Sequence, residues 1–275
     1  MEYSYRRSYR GPIKAVVLDW AGTTVDYGSI APAVVFVEAF KHAGVDISMA
    51  EARGPMGMSK KDHIRAIMHM PRVMSAWTDA HGRAPRDEDV ERVYAQFTAM
   101  QMRVLTQYAD LIPGTMEAML YFRSRDIRVG SCSGYTRAMM DVLVPAAAQL
   151  GFRPDTVVAG DEVPAGRPAP WMALENAKLL GVYPMEAIVK IGDTIADVEE
   201  GLNAGMWTIG LAKTGNVMGL SLAELEDMPE AEVRSRLDAA NGVLASAGAH
   251  YVVDGIGDVP PVVEEIERRL RTRQP

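Results

Sequence analysis

Short, largely apolar runs recur at 13–18, 127–132, 156–158, 188–191 and 208–211, with a further one at 251–253. They are rich in Val and Ile and do not alternate with polar residues, the pattern of strands covered on both faces of a parallel sheet. Between them, residues 114–125, 136–150, 169–180, 196–204 and 260–271 carry apolar positions at helical spacing. Strand and helix therefore alternate. The alternation predicts an α/β fold, a doubly wound, Rossmann-like parallel sheet with the run at 251–253 on an edge.

One stretch breaks the alternation. Residues 32–108 hold helical patterns at 33–43, 59–68, 72–80 and 87–107, with no strand pattern among them. That is too much helix for one crossover, so an all-helical cap domain inserted after the first strand is expected. The boundaries that follow are 1–27 with 111–275 for the catalytic core and 28–110 for the cap. Gly28 at one crossing and Pro113-Gly114 at the other suit a hinge.

Composition narrows the picture. The chain has 275 residues, 48% hydrophobic and 24% charged, enough to bury a sizeable core and form two domains. A net charge of −7 repels polyanions, and no basic patch offsets it, so nucleic acid is not an expected partner. The start, with Arg6, Arg7 and Arg10 among Tyr3, Tyr5 and Tyr9, reads as a loosely ordered tail. No apolar run behind it is long enough for a signal peptide or membrane span, so no membrane partner is expected either. The single cysteine, Cys132, excludes an internal disulfide and fits a reducing, cytoplasmic location; within a buried strand pattern it reads as an inert thiol.

Ligands of open parallel sheets bind at the carboxyl ends of the strands, where four segments here carry polar groups. They are Asp19-Trp20-Ala21-Gly22-Thr23-Thr24, Ser131-Cys132-Ser133-Gly134-Tyr135, Gly166-Arg167-Pro168 and Gly192-Asp193-Thr194-Ile195-Ala196-Asp197. Each suits one part of phosphoryl transfer. Asp19 can attack phosphorus and form an acyl phosphate. Asp193 can give a second carboxylate to Mg²⁺, and Asp197, four residues on and on the same helical face, can order the metal's waters. Ser133 offers a hydroxyl to a phosphoryl oxygen and Arg167 a permanent positive charge. Taken singly, each has an ordinary reading: Asp19 and Asp193 as helix caps, Ser133-Gly134 as a turn, Arg167 as a surface charge. It is their joint occurrence at successive strand ends that points to one crevice.

Farther back, Lys60 and His63 stand three residues apart near the start of a helical pattern and so share a face, while Lys61 points about 100° away. A lysine in a partly desolvated pocket has a lowered pKa and can form a Schiff base with a carbonyl. Read alone, Lys60-Lys61 is a solvated charged face.

The four strand-end segments resemble the haloacid dehalogenase superfamily. Most phosphatases of that group carry a second aspartate two residues after the nucleophile, acting as general acid and base; here that position is Ala21. Longer strings are similar to the phosphonoacetaldehyde hydrolases within it. They are Asp19-Trp20-Ala21-Gly22-Thr23-Thr24, Pro55-Met56-Gly57 with Lys60 and Asp62-His63, Gly134-Tyr135-Thr136-Arg137, Gly166-Arg167-Pro168 with Pro170-Trp171-Met172, and Gly192-Asp193-Thr194.

The resemblance implies hydrolysis of a carbon–phosphorus bond in a small phosphonate, with Asp19 accepting the phosphoryl group and a Lys60 imine acting as electron sink. It implies one Mg²⁺ per subunit, held by Asp19, the Ala21 carbonyl and Asp193, and a homodimer. Ser133, Arg167, Met56, His63 and Tyr135 then become substrate-binding candidates. His63 is open between tuning Lys60 and a structural role; Met56 and Tyr135 are open between pocket wall and packing. The alternatives are an ester phosphatase or phosphomutase of the same superfamily, against which Ala21 speaks, and a non-catalytic binding protein.

Overall fold

A computed structural model describes residues 8–272. Six strands form one sheet: β1 (Ala15–Leu18), β2 (Arg128–Ser133), β3 (Thr156–Ala159), β4 (Ile188–Gly192), β5 (Trp207–Leu211) and β6 (Tyr251–Val253). Their order is β3-β2-β1-β4-β5-β6 and every pairing is parallel. The chain winds outward from β1 in one direction and from β4 in the other, so the order reverses between these two neighbours. A crevice opens there at their carboxyl ends.

Both faces of the sheet are covered, which is why its strands read as largely apolar runs. In β1, Val16 and Leu18 pack into one buried cluster with Phe122 and Val263, while Ala15 and Val17 pack into another with Met172 and Leu180. Residues expected in the loose tail behave differently from that expectation where they are described. The Tyr9 N–H donates to Glu186 at 3.2 Å and its hydroxyl to the Pro12 carbonyl at 2.6 Å, so the chain is anchored from Tyr9 onward. Arg6, Arg7, Tyr3 and Tyr5 lie outside the described residues.

The helical insert after β1 consists of five helices, α1 (Ile30–His42), α2 (Met49–Arg53), α3 (Lys60–Met68), α4 (Pro71–His81) and α5 (Asp87–Val104), followed by a 3-10 turn at Leu105–Tyr108; a sixth helix then leads into β2. Helix α2 was not legible as a period because it is only five residues long; its local signal is the capping box between Ser48 and Glu51. The helical insert has its own apolar centre, where Phe36 of α1 stacks on Phe97 of α5 at 4.2 Å. The two chain crossings run side by side. Val25 bridges Leu111, and Ile112 donates to the Thr24 carbonyl at 2.9 Å.

The remaining helices are α6 (Thr115–Ser124), α7 (Arg137–Gln149), α8 (Trp171–Leu180), α9 (Ile195–Asn203), α10 (Leu222–Asp227), α11 (Glu230–Ser246) and α12 (Val259–Thr272). Helix α11 is long yet had no readable period, because only Ala240 and Leu244 are buried along it. A stripe that narrow leaves little amphipathic signal. Among the described residues, no helix is long and apolar enough to cross a membrane.

Candidate active site

Asp19 leaves the end of β1 and Asp193 the end of β4, so the reversal in strand order sets them face to face. Carboxylate oxygens of Asp19, Asp193 and Asp197 lie within 4.8 Å of one another, all buried. Asp193 is fixed by two donors, the Thr23 hydroxyl at 2.9 Å and the Asn216 N–H at 2.8 Å. Gly22 makes this approach possible: its φ is +81°, and a Cβ there would stand 2.3 Å from Asp193 Oδ2. Asp197 caps α9 reciprocally with Thr194, whose hydroxyl donates to it at 2.6 Å.

Beneath these carboxylates sits a frame of buried charges. Arg167 reaches Asp19 through Nη2 at 2.8 Å, Asp197 through Nη1 at 3.1 Å and Glu200 through Nε at 2.9 Å. Lys190, in the middle of β4, pairs with Asp197 at 2.6 Å and approaches Glu200 at 3.5 Å. Four buried carboxylates (Asp19, Asp193, Asp197, Glu200) thus stand against two buried cations in this frame (Arg167, Lys190), with Lys60 across the cavity. Burial raises the pKa of Asp19 against the pull of Arg167, and raises that of Asp193 well above the ordinary range. Asp197 is also opposed by burial, yet Arg167 and Lys190 hold it low. Three buried carboxylates converging with only oxygen donors fit a divalent cation. Cys132 lies against Arg167 with its thiol pushed up to about 12, chiefly by burial, and is chemically quiet.

The helical insert supplies the opposite wall. Ser59 caps α3 and Lys60 is its first residue. The Lys60 ammonium position is 4.8 Å from the Tyr135 ring centroid and 5.6 Å from that of Phe36, and among the described residues it takes part in no ion pair. Burial lowers its pKa to about 8, with Asp19 pulling the other way. Lys61 faces outward and pairs with Glu91.

Lys60, Asp19, Ala21, Ser133, Arg167, Met56 and Tyr135 line one cavity of about 20 Å³. The Ser133 hydroxyl accepts from the Tyr135 N–H at 3.1 Å, and the Tyr135 hydroxyl accepts from Gln101 at 3.2 Å. His63 does not line the cavity. Its Nε2–H donates to the Ala52 carbonyl at 2.8 Å, and its ring lies 3.8 Å from that of Phe36. Burial holds it neutral, its pKa well below the usual value. The loop before α3 closes on the sheet through Gly57, where φ is +94° and a Cβ would stand 2.3 Å from the Thr194 hydroxyl.

A family model for haloacid dehalogenase-like hydrolases matches residues 13–205, which contain every group of this crevice so far described except Asn216. The chain belongs to the haloacid dehalogenase-like hydrolases. Within them it is 51% identical over 268 residues to a phosphonoacetaldehyde hydrolase-like protein of Syntrophobacter fumaroxidans, covering 98% of this chain and 97% of that one. A phosphonoacetaldehyde hydrolase of the same organism is 50% identical over 264 residues, covering 96% and 95%. The crystal structure of a phosphonoacetaldehyde hydrolase-like protein from Oleispira antarctica superimposes with a TM-score of 0.95 at 39% identity, covering 99% of each chain.

Sequence reasoning missed Lys190, Glu200, Thr23 and Asn216 in this hydrolase. Lys190 had a readable signal, a charge inside an apolar strand run, which needs a buried partner. Glu200 stands one helical turn beyond Asp197. Asn216 had none, because its role is a backbone N–H brought to Asp193 from the loop after β5.

Proposed function

We propose that this hydrolase cleaves the carbon–phosphorus bond of phosphonoacetaldehyde to acetaldehyde and phosphate. The observation that carries the reading is a buried carboxylate and a buried lysine, in no ion pair among the described residues, facing one small cavity, with Ala21 where an acid for an ester oxygen would stand. The names of the near-full-length relatives support it.

Lys60, neutral in a useful fraction at physiological pH, adds to the aldehyde carbon, and loss of water gives an imine that is protonated on nitrogen. Asp19 then attacks phosphorus. The electron pair of the breaking carbon–phosphorus bond moves toward the iminium nitrogen, so the carbon leaves as an enamine and needs no proton from position 21. Protonation of the enamine and hydrolysis of the imine release acetaldehyde and regenerate Lys60; water cleaves the aspartyl phosphate.

Arg167 and Ser133 hold phosphoryl oxygens. Asp19, the Ala21 carbonyl and Asp193, with Asp197 behind them, would hold one Mg²⁺ per subunit, which would supply the charge neutralisation that an anionic carboxylate needs to approach phosphorus. Met56 and Tyr135 form the wall around the imine, while His63 fastens α3 to α2 and so sets where Lys60 begins.

A cavity of about 20 Å³ has room for about one water. Substrate therefore enters when residues 28–110 swing away as a cap domain, and their closure excludes bulk water. The reading is completed by a cytoplasmic homodimer. Phosphate release from phosphonoacetaldehyde, measured with and without Mg²⁺, tests it. Metal-dependent release is expected, together with borohydride reduction of an aldehyde onto Lys60; an active preparation that gives no such adduct refutes the imine.

A further inference from the structure

Glu200 lines no part of the cavity, yet it is fully buried and touches the one guanidinium that reaches the nucleophile. Arg167 meets a different carboxylate through each donor nitrogen. Its Nε and Nη2 share one edge of the planar fork, the edge that a single carboxylate can take in two parallel bonds. Here that edge is divided. Glu200 occupies Nε at 2.9 Å, and Asp19 is left with Nη2 alone at 2.8 Å, a donor it shares with the Cys132 carbonyl at 3.0 Å. Lys190 stands 3.5 Å from Glu200 and 2.6 Å from Asp197, and balances the carboxylates that grip Arg167 from behind.

We infer that Glu200 is a positioning residue for phosphoryl transfer. By holding Nε it prevents Arg167 from closing on Asp19 as a two-bond pair, so Asp19 keeps an oxygen for attack and Nη2 can follow the phosphoryl oxygens. The inference rests on Asp19 being the phosphoryl acceptor.

Glu200→Leu keeps the site filled and removes every acceptor for Nε; Glu200→Gln removes the charge but restores an acceptor. Turnover is measured on phosphonoacetaldehyde and on acetyl phosphate, whose carboxylate leaving group needs neither an imine nor an acid. The expected result is a fall in kcat of about 10- to 100-fold on both substrates in Glu200→Leu, from the loss of one charge-assisted hydrogen bond. Glu200→Gln should recover most of it. Borohydride trapping of acetaldehyde on Lys60 should match wild type in both variants, since a general disturbance of the site would lower it.

Wild-type kcat in Glu200→Leu overturns the inference, as does equal impairment of the two variants, which would mark a charge effect. A loss of trapping overturns it too. If Glu200→Leu does not fold, Glu200→Asp, which keeps the charge but retreats from Nε, takes its place, and wild-type kcat there overturns the inference. A wild-type enzyme that hydrolyses acetyl phosphate but not phosphonoacetaldehyde refutes the proposed substrate and leaves the Glu200 comparison readable. A wild-type enzyme inactive on both overturns both.

Discussion

Lys190 and Lys60 are 1% and 6% exposed, yet the sheet holds one as a firm cation while the helical insert leaves the other close to neutrality. For Lys190, burial and Arg167 push the pKa down, but Asp197 and Glu200 outweigh them and the net shift is upward. For Lys60 the balance falls the other way. Two aromatic rings cushion it, and a cation–π contact of about 0.5–2 kcal/mol does not offset the burial of an ammonium group. Its pKa settles at about 8. Burial alone therefore does not decide what a lysine does; the partners buried with it decide. In the sheet the lysine is held in ion pairs, and in the insert it stands, among the described residues, in no ion pair.

The largest test removes the special lysine from this pair. Lys60→Arg should lower turnover by roughly 10⁴-fold or more, since guanidinium stays protonated and forms no imine, and Asp19→Ala should do the same from the other wall. Circular dichroism should show both variants folded. Full activity in Lys60→Arg would show that turnover needs no neutral amine at position 60.

Breaking the other lysine should cost stability. Lys190→Met leaves Asp197 and Glu200 with one buried cation instead of two, and a loss of about 3–5 kcal/mol is expected from denaturant unfolding. A loss below about 1 kcal/mol would mean that Lys190 is not held as a structural cation.

The pH dependence separates them further. Because the folded pKa of Lys60 is about 8, below the ordinary 10.5 of lysine, its amine is cationic below pH 8 and neutral above it. The rate of borohydride-trapped imine formation should rise about tenfold per pH unit up to about pH 8 and then level off. Stability should follow with the same sign. Between about pH 8 and 10.5 the unfolded chain binds the extra proton, so the cost of burying Lys60 shrinks as pH rises through that window.

The smallest effect should come from the cushion. Tyr135→Phe keeps the ring beside Lys60 and loses only the hydrogen bond with Gln101. The pH profile should stay unmoved while stability falls by about 1 kcal/mol in thermal unfolding. A shift in the profile would show that the hydroxyl, not the ring, sets the amine.

Much of the fold was legible because its signals are local. Apolar runs such as 188–191 announce buried strands, and the absence of strands from 32–108 announced the helical insert. Helix α11 escaped because two buried side chains make too faint a period. At the site, Asp19, Ser133, Arg167 and Asp193 were readable from their places after strands. Glu200 and Asn216 were not, since each acts on a partner from another strand's loop.

What the sequence determined by itself is the order of strands and helices, the helical insert, and the types of reactive group at each strand end, because periodicity and spacing are properties of neighbouring residues. Only the tertiary structure decided which lysine remains a cation and which becomes a usable amine. That depends on distances of a few ångströms to Asp197 and Glu200 in one case and to Phe36 and Tyr135 in the other. Charge and desolvation energies change over those distances, and packing alone sets them.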